Sequence, residues 1–300
     1  MSNSSGPQSG PQSGPQSCVT IIPTFSDNFC YLITYNQSTN LALLIDPAEP
    51  SVIWPLLSSP PLNELQITHI LSTHHHWDHS GGNNEMVKLI NDRAGSTKPN
   101  VIVIGGINDD VEGKTLSVTD KDEMTLGDFN VRFLETPGHT NGHICYYFES
   151  TFTKMVFTGD CLFVGGCGKF FEGGAEEMFG SFKKLAELPR ETLVYVGHEY
   201  TVSNYNFAAK AVQTEAVVKR AKWAEEKRKR GEHTVPSTIG DEIDSNVFMM
   251  AVLNEEGADL SGGIWGGFLA KCGCSVGERD FLPAELLGKV REAKDKGMLK

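Results

Sequence analysis

The sequence predicts an α+β fold, with a mixed domain followed by a helical one. Between Ile21 and His198 the apolar runs are short and rich in β-branched residues, as is typical of buried strands. Helical segments at 85–91 and 176–188 separate some of these runs. After Thr201 the apolar residues recur with helical spacing instead. A length of 300 residues at 39% hydrophobic allows one large domain plus a smaller one.

The chain divides into three parts by composition. Residues 1–17 are mostly a repeat of Ser-Gly-Pro-Gln with almost no apolar residue, so we expect a disordered tail there. Residues 18–202 hold the strand-like runs and form the first domain. Residues 203–300 form a mainly helical domain, which opens with helical spacing over 206–229. No stretch approaches about 20 consecutive apolar residues, so we expect no membrane span.

Two segments near the C-terminus have simpler interpretations. Residues 261–268 are a Gly-interrupted apolar stretch, which we expect to dock onto the helical domain. Residues 283–294 have the pattern of a short amphipathic helix.

Four strand-like runs each end close to a residue that is able to bind metal. Segment 67–73 precedes His74, segment 131–136 leads to His139, segment 155–158 leads to Asp160, and segment 193–196 leads to His198. A single His or Asp after a strand is ordinary turn or capping chemistry. Four such positions in one chain indicate a common site.

The densest of these segments runs from Thr73 to Gly82. It contains His74, His76, Asp78 and His79 in an H-x-H-x-D-H pattern, which no ordinary packed core would accommodate. Imidazole nitrogen and carboxylate oxygen bind Zn²⁺ or iron at roughly 2.0–2.2 Å. The pattern therefore predicts a metal centre on a loop.

These motifs, in this order and at this spacing, resemble the metallo-β-lactamase superfamily. They are THHHWDHSGG at 73–82, TPGHT at 136–140, FTGD at 157–160 and VGHEY at 196–200. Three further segments narrow the resemblance to the glyoxalase II family, the hydroxyacylglutathione hydrolases: GGCGKFFEG at 165–173, HEYT at 198–201 and TVPST at 234–238. The resemblance covers roughly residues 19–252.

The resemblance implies a four-layer αββα sandwich with two divalent metal ions at one edge of its two sheets. The helical domain would cover part of the entrance. Zinc is the expected metal, and iron or manganese are the alternatives. The resemblance assigns His74, His76 and His139 to one ion, Asp78, His79 and His198 to the other, and Asp160 to both.

The implied reaction is hydrolysis of S-(2-hydroxyacyl)glutathione, typically S-D-lactoylglutathione, to glutathione and D-lactate. Two metal ions lower the pKa of a water held between them toward about 7. In the family mechanism the bridging hydroxide attacks the thioester carbonyl, and a metal stabilises the developing oxyanion. The resemblance makes Asp78 and Asp160 the catalytic candidates, because they would bind metal and also orient the hydroxide. A thiolate leaves readily near neutral pH, so no dedicated general acid is required.

Three positions match the family's contacts to the glutathione part of the substrate. Lys169 and Tyr200 are the expected residue types, whereas Phe171 stands where the family has a tyrosine. A basic cluster that is usual in the family is absent, because this chain has Met250 there. Losing one charge-assisted hydrogen bond to the glycine carboxylate costs about 1.5–3 kcal/mol.

Three interpretations of this departure stay open. The side chain of Met250 simply packs in the core; Lys271 or Arg279 folds back to replace the charge; or the substrate carries a thiol whose carboxylate is amidated, as in trypanothione. For the third interpretation, the acidic groups available to a polyamine are those of Glu255, Glu256 and Asp259.

The remaining histidines are not expected to bind metal. Alternation along the motif points His75 away from the ions, His69 and His143 are expected to make hydrogen bonds in the core, and His233 lies in a polar, solvent-exposed stretch. Asp46 either orients one of the metal-binding histidines or caps the Pro-containing turn that follows it.

Composition limits the partners. A net charge of −12 argues against nucleic acid, which calls for a basic face, and the basic run at 219–230 is interleaved with glutamates as on a solvated helix. Seven cysteines show no disulfide framework, and we find no secretory segment. We therefore expect a cytoplasmic monomer that acts on a small molecule.

Other function classes remain as alternatives. They are another enzyme of the superfamily, such as a lactonase, β-lactamase or sulfur dioxygenase, and a non-catalytic scaffold. Lys169 and Tyr200 favour the thioester hydrolase, because a lactonase has no need to hold glutathione. The complete ligand set argues against the scaffold.

Overall fold

The fold is given by a computed structural model for residues 18–36, 40–95, 101–254, 263–274 and 282–299. The tail predicted for residues 1–17 lies outside these ranges. Within the described ranges, no helix is both long and apolar enough to cross a membrane.

Two six-stranded sheets form the centre of the described part of the chain. The strands are β1 (Val19–Thr24), β2 (Asn28–Asn36), β3 (Leu41–Ile45), β4 (Gln66–Leu71), β5 (Ile102–Gly106), β6 (Leu116–Val118), β7 (Glu123–Leu126), β8 (Phe129–Glu135), β9 (Ile144–Glu149), β10 (Lys154–Phe157), β11 (Leu162–Phe163), β12 (Gly166–Cys167), β13 (Leu193–Tyr195) and β14 (Ser237–Thr238). The first sheet has the order β1-β2-β3-β4-β5-β6 and the second β14-β13-β10-β9-β8-β7, while β11 and β12 pair separately.

The strand directions bring the predicted ligand loops to one edge. In the second sheet β8 is antiparallel to β9, β9 is antiparallel to β10, and β10 is parallel to β13. Strands β8, β10 and β13 therefore all point the same way, and the residues that follow them lie at the same edge. The first sheet joins this edge because the amide of Ile144 donates to the carbonyl of Thr73, just after β4 (N···O 2.9 Å).

The helices lie around the two sheets. They are α1 (Pro50–Leu57), α2 (Trp77–Ser80), α3 (Asn83–Ala94), α4 (Ala175–Ala186), α5 (Thr201–Ala211), α6 (Glu215–Lys229), α7 (Ile239–Ser245), α8 (Val247–Val252), α9 (Gly263–Lys271) and α10 (Pro283–Asp295), with a short 3₁₀ helix at Leu62–Glu64.

Alternation along the strands produces the layers. In β2, Tyr31 and Ile33 are buried in the main core between the sheets, whereas Leu32 is buried in a second core on the other face. Helices α1 and α3 cover that second core with residues such as Ile53 and Met86. Residues 144–148 of β9 are all buried, which requires cover on both faces of the second sheet. The four-layer α+β prediction is confirmed.

One helical prediction needed correction. The helical spacing over 206–229 is divided between α5 and α6, because Val212 adopts an extended backbone conformation (φ −136°, ψ 136°). The hydroxyl of Thr214 then caps α6 by accepting a hydrogen bond from the amide of Val217. The predicted segments 85–91, 176–188 and 283–294 fall on α3, α4 and α10, and α9 buries its aromatic side chains in the main core.

A buried carboxylate ties the C-terminal helices to the β11–β12 turn. Glu242 of α7 accepts hydrogen bonds from the amide of Gly165 at 2.8 Å, from the side chain of Asn246 at 3.0 Å and from the hydroxyl of Ser237 at 2.5 Å. Three donors satisfy an anion that is otherwise costly to bury. The turn that follows Asp160 is thereby held in place.

Candidate metal centre

Three histidines converge at the edge where the loops meet. Nε2 of His74 and Nε2 of His139 lie 3.1 Å and 3.0 Å from Nδ1 of His76. Two ligands that each lie about 2.1 Å from one ion at a tetrahedral angle are about 3.4 Å apart. The three nitrogens are therefore placed as ligands of a common cation would be.

A second cluster lies beside the first. Nε2 of His79 is 3.3 Å from Nε2 of His198, and Oδ2 of Asp78 is 3.7 Å and 3.5 Å from these two nitrogens. The side-chain Nδ2 of Asn28 donates to the same Asp78 oxygen at 3.0 Å and so orients the carboxylate. This second group also has the composition and spacing of a metal site.

Asp160 lies between the two clusters. Its Oδ1 is 3.3 Å from Nε2 of His79 and 3.4 Å from Nε2 of His198, while its Oδ2 is 3.5 Å from Nε2 of His139. Although Oδ1 is buried, it has no hydrogen-bond partner among the residues that the structure describes. A buried carboxylate oxygen without a donor is costly unless a cation neutralises it, so the donor set fits two divalent metal ions.

The electrostatics divide the histidines into two kinds. Burial lowers the pKa of His74 well below its usual value, and burial also lowers the pKa of His76 and His139. Burial opposes charge on His79 and His198 too, but the attraction of Asp160 combined with that of Asp46 for His79 and of Asp27 for His198 outweighs it, so the pKa of both is raised. The first cluster thus presents neutral imidazoles, which is the form that binds metal.

Carboxylates behind the second cluster fix the orientation of its imidazoles. Oδ2 of Asp46 accepts from Nδ1 of His79 at 2.9 Å, and Oδ1 of Asp27 accepts from Nδ1 of His198 at 2.8 Å. Asp46 also accepts from the amide and hydroxyl of Thr73, each at 2.8 Å. The sequence left two roles open for Asp46, orienting a metal-binding histidine or capping a turn. The contact with His79 favours the first. Such partners orient metal-binding histidines.

Asp27 is a residue that sequence reasoning missed. It lies in the turn between β1 and β2, and an isolated bridge between Asn28 and His198 brings this turn to the site. No local motif marks the position, because its partner is more than 150 residues away in the chain.

A cavity of about 410 Å³ adjoins the metal-binding clusters. The three residues predicted to hold the substrate, Lys169, Phe171 and Tyr200, all line it, together with Asp160. Phe171 is 62% exposed, so its ring is available to a ligand. Burial raises the pKa of Tyr200, so its hydroxyl stays protonated and can donate a hydrogen bond.

Two cations of α10 also line this cavity, and the sequence analysis did not identify them. Arg291 donates to the carbonyl of Cys167 at 3.0 Å and forms an ion pair with Asp295 at 2.7 Å. Lys294 donates to the side-chain oxygen of Asn204, and burial lowers its pKa to about 8. Their spacing of three residues on an amphipathic helix was the available signal, because it places both on one face.

The other residues considered for the absent charge lie elsewhere. Met250 is partly buried and packs against the main core, as one of the open interpretations held. Lys271 donates to the carbonyl of Lys210 and lines a different cavity. Arg279 and the acidic residues at 255, 256 and 259 lie outside the described residues.

The remaining histidines do not join the metal-binding groups of the described chain. His143 contacts the hydroxyl of Thr136 at 2.9 Å and stacks on His74, and His69 contacts the hydroxyl of Thr68 at 2.7 Å. His233 is only partly exposed, since its ring packs edge-on against Phe29.

Comparisons with known proteins agree with this arrangement. The family model of the metallo-β-lactamase superfamily matches residues 23–198, and that of the hydroxyacylglutathione hydrolase C-terminus matches residues 199–297. The cytoplasmic hydroxyacylglutathione hydrolase of Arabidopsis thaliana is 42% identical over 76% of this chain and 86% of its own length. The hydroxyacylglutathione hydrolase of Dictyostelium discoideum is 35% identical over 90% of this chain and 96% of its own.

Solved structures share the fold. ETHE1 from Myxococcus xanthus superposes with a TM-score of 0.56 at 24% identity, over 93% of this chain and 99% of that one. A metallo-β-lactamase from Staphylococcus aureus gives a TM-score of 0.55 at 21% identity, over 93% of this chain and 72% of that one. The two family models and the curated relatives show that the chain belongs to the hydroxyacylglutathione hydrolase family of the metallo-β-lactamase superfamily.

Proposed function

We propose that the protein hydrolyses the thioester of S-(2-hydroxyacyl)glutathione, typically S-D-lactoylglutathione, to glutathione and D-lactate. The observation that carries the proposal is the position of Asp160, which faces two imidazole clusters on one side and a cavity lined with cations on the other. The curated relatives are hydroxyacylglutathione hydrolases, which supports the same substrate class.

The proposed metal ligands follow the two clusters. His74, His76 and His139 would hold one ion, Asp78, His79 and His198 the other, and Asp160 both, with zinc as the expected metal and iron or manganese as alternatives. Two such ions supply Lewis acidity and a water of lowered pKa for attack on the carbonyl.

The chain's own residues orient the reactants. Asp78 would use one carboxylate oxygen as a ligand and leave the other to accept a hydrogen bond from the attacking water. The two oxygens of Asp160 face different clusters, so Asp160 would orient the water through its position between them. The leaving thiolate is stable near neutral pH, so its departure requires no dedicated general acid.

The charge of the cavity favours glutathione as the thiol carrier. Lys169, Arg291 and Lys294 are cations, and glutathione carries two carboxylates. Lys294 is a better partner than Arg291 for a substrate carboxylate. Its acceptor in the structure is the neutral side-chain oxygen of Asn204, whereas Arg291 is already paired with Asp295. A polyamine-linked thiol such as trypanothione would bring positive charge to the same surface, and like charges repel.

The domain assignment follows from this division of labour. Residues 18–202 would form the metal-binding domain, and residues 203–300 a substrate-binding domain that contributes Arg291 and Lys294.

We also propose a cytoplasmic monomer; the seven cysteines are all free thiols, as a reducing compartment would keep them. Light scattering after gel filtration tests the oligomeric state.

A substrate panel tests the function. Metal-loaded protein is assayed with S-D-lactoylglutathione, a trypanothione thioester, a lactone and a β-lactam. We expect the highest kcat/KM for the glutathione thioester. A higher value for any of the other three would overturn the proposal.

A further inference from the structure

His75 lies between two carboxylates and belongs to neither of the metal-binding groups, although its ring contacts that of His76 with centroids 5.0 Å apart. Its Nδ1 is 2.5 Å from Oδ1 of Asp109, and its Nε2 is 3.4 Å from Oε1 of Glu172. The Asp109 side chain is completely buried, whereas that of Glu172 is 34% exposed. The imidazole therefore joins a fixed anchor in the interior to a carboxylate at the rim of the site.

Both carboxylates also hold the loop that carries His139. The second oxygen of Asp109 accepts from the hydroxyl of Thr140 at 2.9 Å, and the second oxygen of Glu172 accepts from the amide of Asn141 at 2.7 Å. His75 therefore connects two carboxylates that each accept a hydrogen bond from the loop that carries His139.

Glu172 directly follows the segment that lines the substrate cavity. The Phe171 ring lies 5.2 Å from the ring of His139 and 5.7 Å from that of His76. The carbonyl of Lys169 accepts from Nδ1 of His139 at 2.9 Å. Residues 169–172 therefore contact the loop that carries His139 at both ends, through the carbonyl of Lys169 and the carboxylate of Glu172. These contacts fix the position of the side chains that face the thiol carrier.

We propose that His75, Asp109 and Glu172 form a latch that positions Lys169 and Phe171 for substrate binding. The three are positioning residues, since they act through the 169–171 segment. The inference rests on the proposed function in so far as this segment holds the thiol carrier. The contact between His75 and Glu172 is partly exposed, and such contacts contribute little to the stability of a fold, so its loss should appear in binding and not in unfolding.

Three variants isolate the latch. Glu172→Ala removes the rim carboxylate, and Glu172→Gln keeps an oxygen that can accept from the amide of Asn141. His75→Asn keeps a donor near the position of Nδ1, for Asp109, but cannot reach Glu172. Glu187→Ala, at an exposed glutamate just after α4, is the matched control.

Steady-state kinetics with the metal-loaded holoenzyme test the proposal. We expect Glu172→Ala and His75→Asn to raise KM for S-D-lactoylglutathione by about three- to tenfold, with kcat, metal content and Tm close to wild type. Glu172→Gln should recover most of the lost affinity, and Glu187→Ala should behave as wild type. In the double variant His75→Asn/Glu172→Ala, the rise in KM should be smaller than the product of the two single rises, because both substitutions remove the same contact between positions 75 and 172. An unchanged KM in Glu172→Ala, or an equal rise in Glu187→Ala, overturns the latch.

A second measurement does not depend on the substrate. Hydrogen exchange of backbone amides in residues 168–174 should be faster in Glu172→Ala than in wild type, and equal rates would overturn the latch. If the wild-type enzyme does not hydrolyse S-D-lactoylglutathione, the proposed function fails while this exchange experiment still decides the latch.

Discussion

The ring of Tyr200 lies parallel to that of His198, with centroids 4.6 Å apart and planes within 4° of each other. This stacking joins a residue of the substrate cavity to a candidate metal ligand. The two residues are separated by Glu199, whose carboxylate accepts from the amide of Thr234 at 2.9 Å and so anchors the loop. The stacking and the anchored loop therefore hold the Tyr200 ring, and with it the hydroxyl, at the edge of the cavity.

Removing only that hydroxyl should affect substrate binding. Because the pKa of Tyr200 is raised, its hydroxyl is a donor throughout the working pH range, and Tyr200→Phe keeps the stacked ring. We expect KM for S-D-lactoylglutathione to rise by about two- to tenfold, with kcat and metal content retained. Metal content is measured by atomic emission, and a fall in Tyr200→Phe would show that the hydroxyl supports the metal centre instead.

Asp160→Ala should abolish turnover. The carboxylate faces both clusters, and without it the imidazoles would have no shared anion between them. We expect kcat to fall by more than about 100-fold and bound metal to fall below two ions per chain. Asp160→Asn, which keeps the shape but not the charge, serves as the comparison. A variant that retains wild-type turnover would contradict the role of Asp160.

Asp46→Asn should weaken metal binding although it replaces none of the proposed ligands. The Asp46 carboxylate holds His79 through Nδ1, and an amide there no longer stabilises the same ring orientation. Metal affinity should fall by about 10- to 100-fold, as measured by competition with a chelator. Asp128→Asn, at an exposed position between β7 and β8, should leave the affinity unchanged.

The sequence predicted best what is local in the chain. The ligand candidates follow strands whose directions bring their ends together, so spacing alone indicated a shared site. Arg291 and Asp27 were missed because their positions in the site depend on tertiary packing across more than 100 residues. Alternation predicted that His75 points away from the ions, but its contact with Asp109 depends on a loop that the local pattern does not describe.

Lys294→Met should raise KM, whereas Met250→Arg should not lower it. Lys294 lines the substrate cavity, while Met250 packs against the core and away from it. Loss of a charge-assisted hydrogen bond of about 1.5–3 kcal/mol predicts a rise in KM of about tenfold or more for Lys294→Met. A guanidinium at position 250 has to leave the core or remain buried, so Met250→Arg should lower Tm. A lower KM in Met250→Arg would show that this position does face the substrate.

The depressed pKa of Lys294 predicts a pH dependence of substrate binding. Burial lowers this pKa to about 8, so the ammonium is charged below pH 8 and loses its charge as the pH rises through that value. Only the charged form attracts a carboxylate, so KM for S-D-lactoylglutathione should be lowest below pH 8 and rise above it. The Lys294→Arg variant should show a flatter profile between about pH 7 and 9.5, because a guanidinium stays charged there. Initial rates across this range, with metal content checked at each pH, measure the effect. If KM of the wild-type enzyme follows the same curve as that of Lys294→Arg, the titrating group is not Lys294.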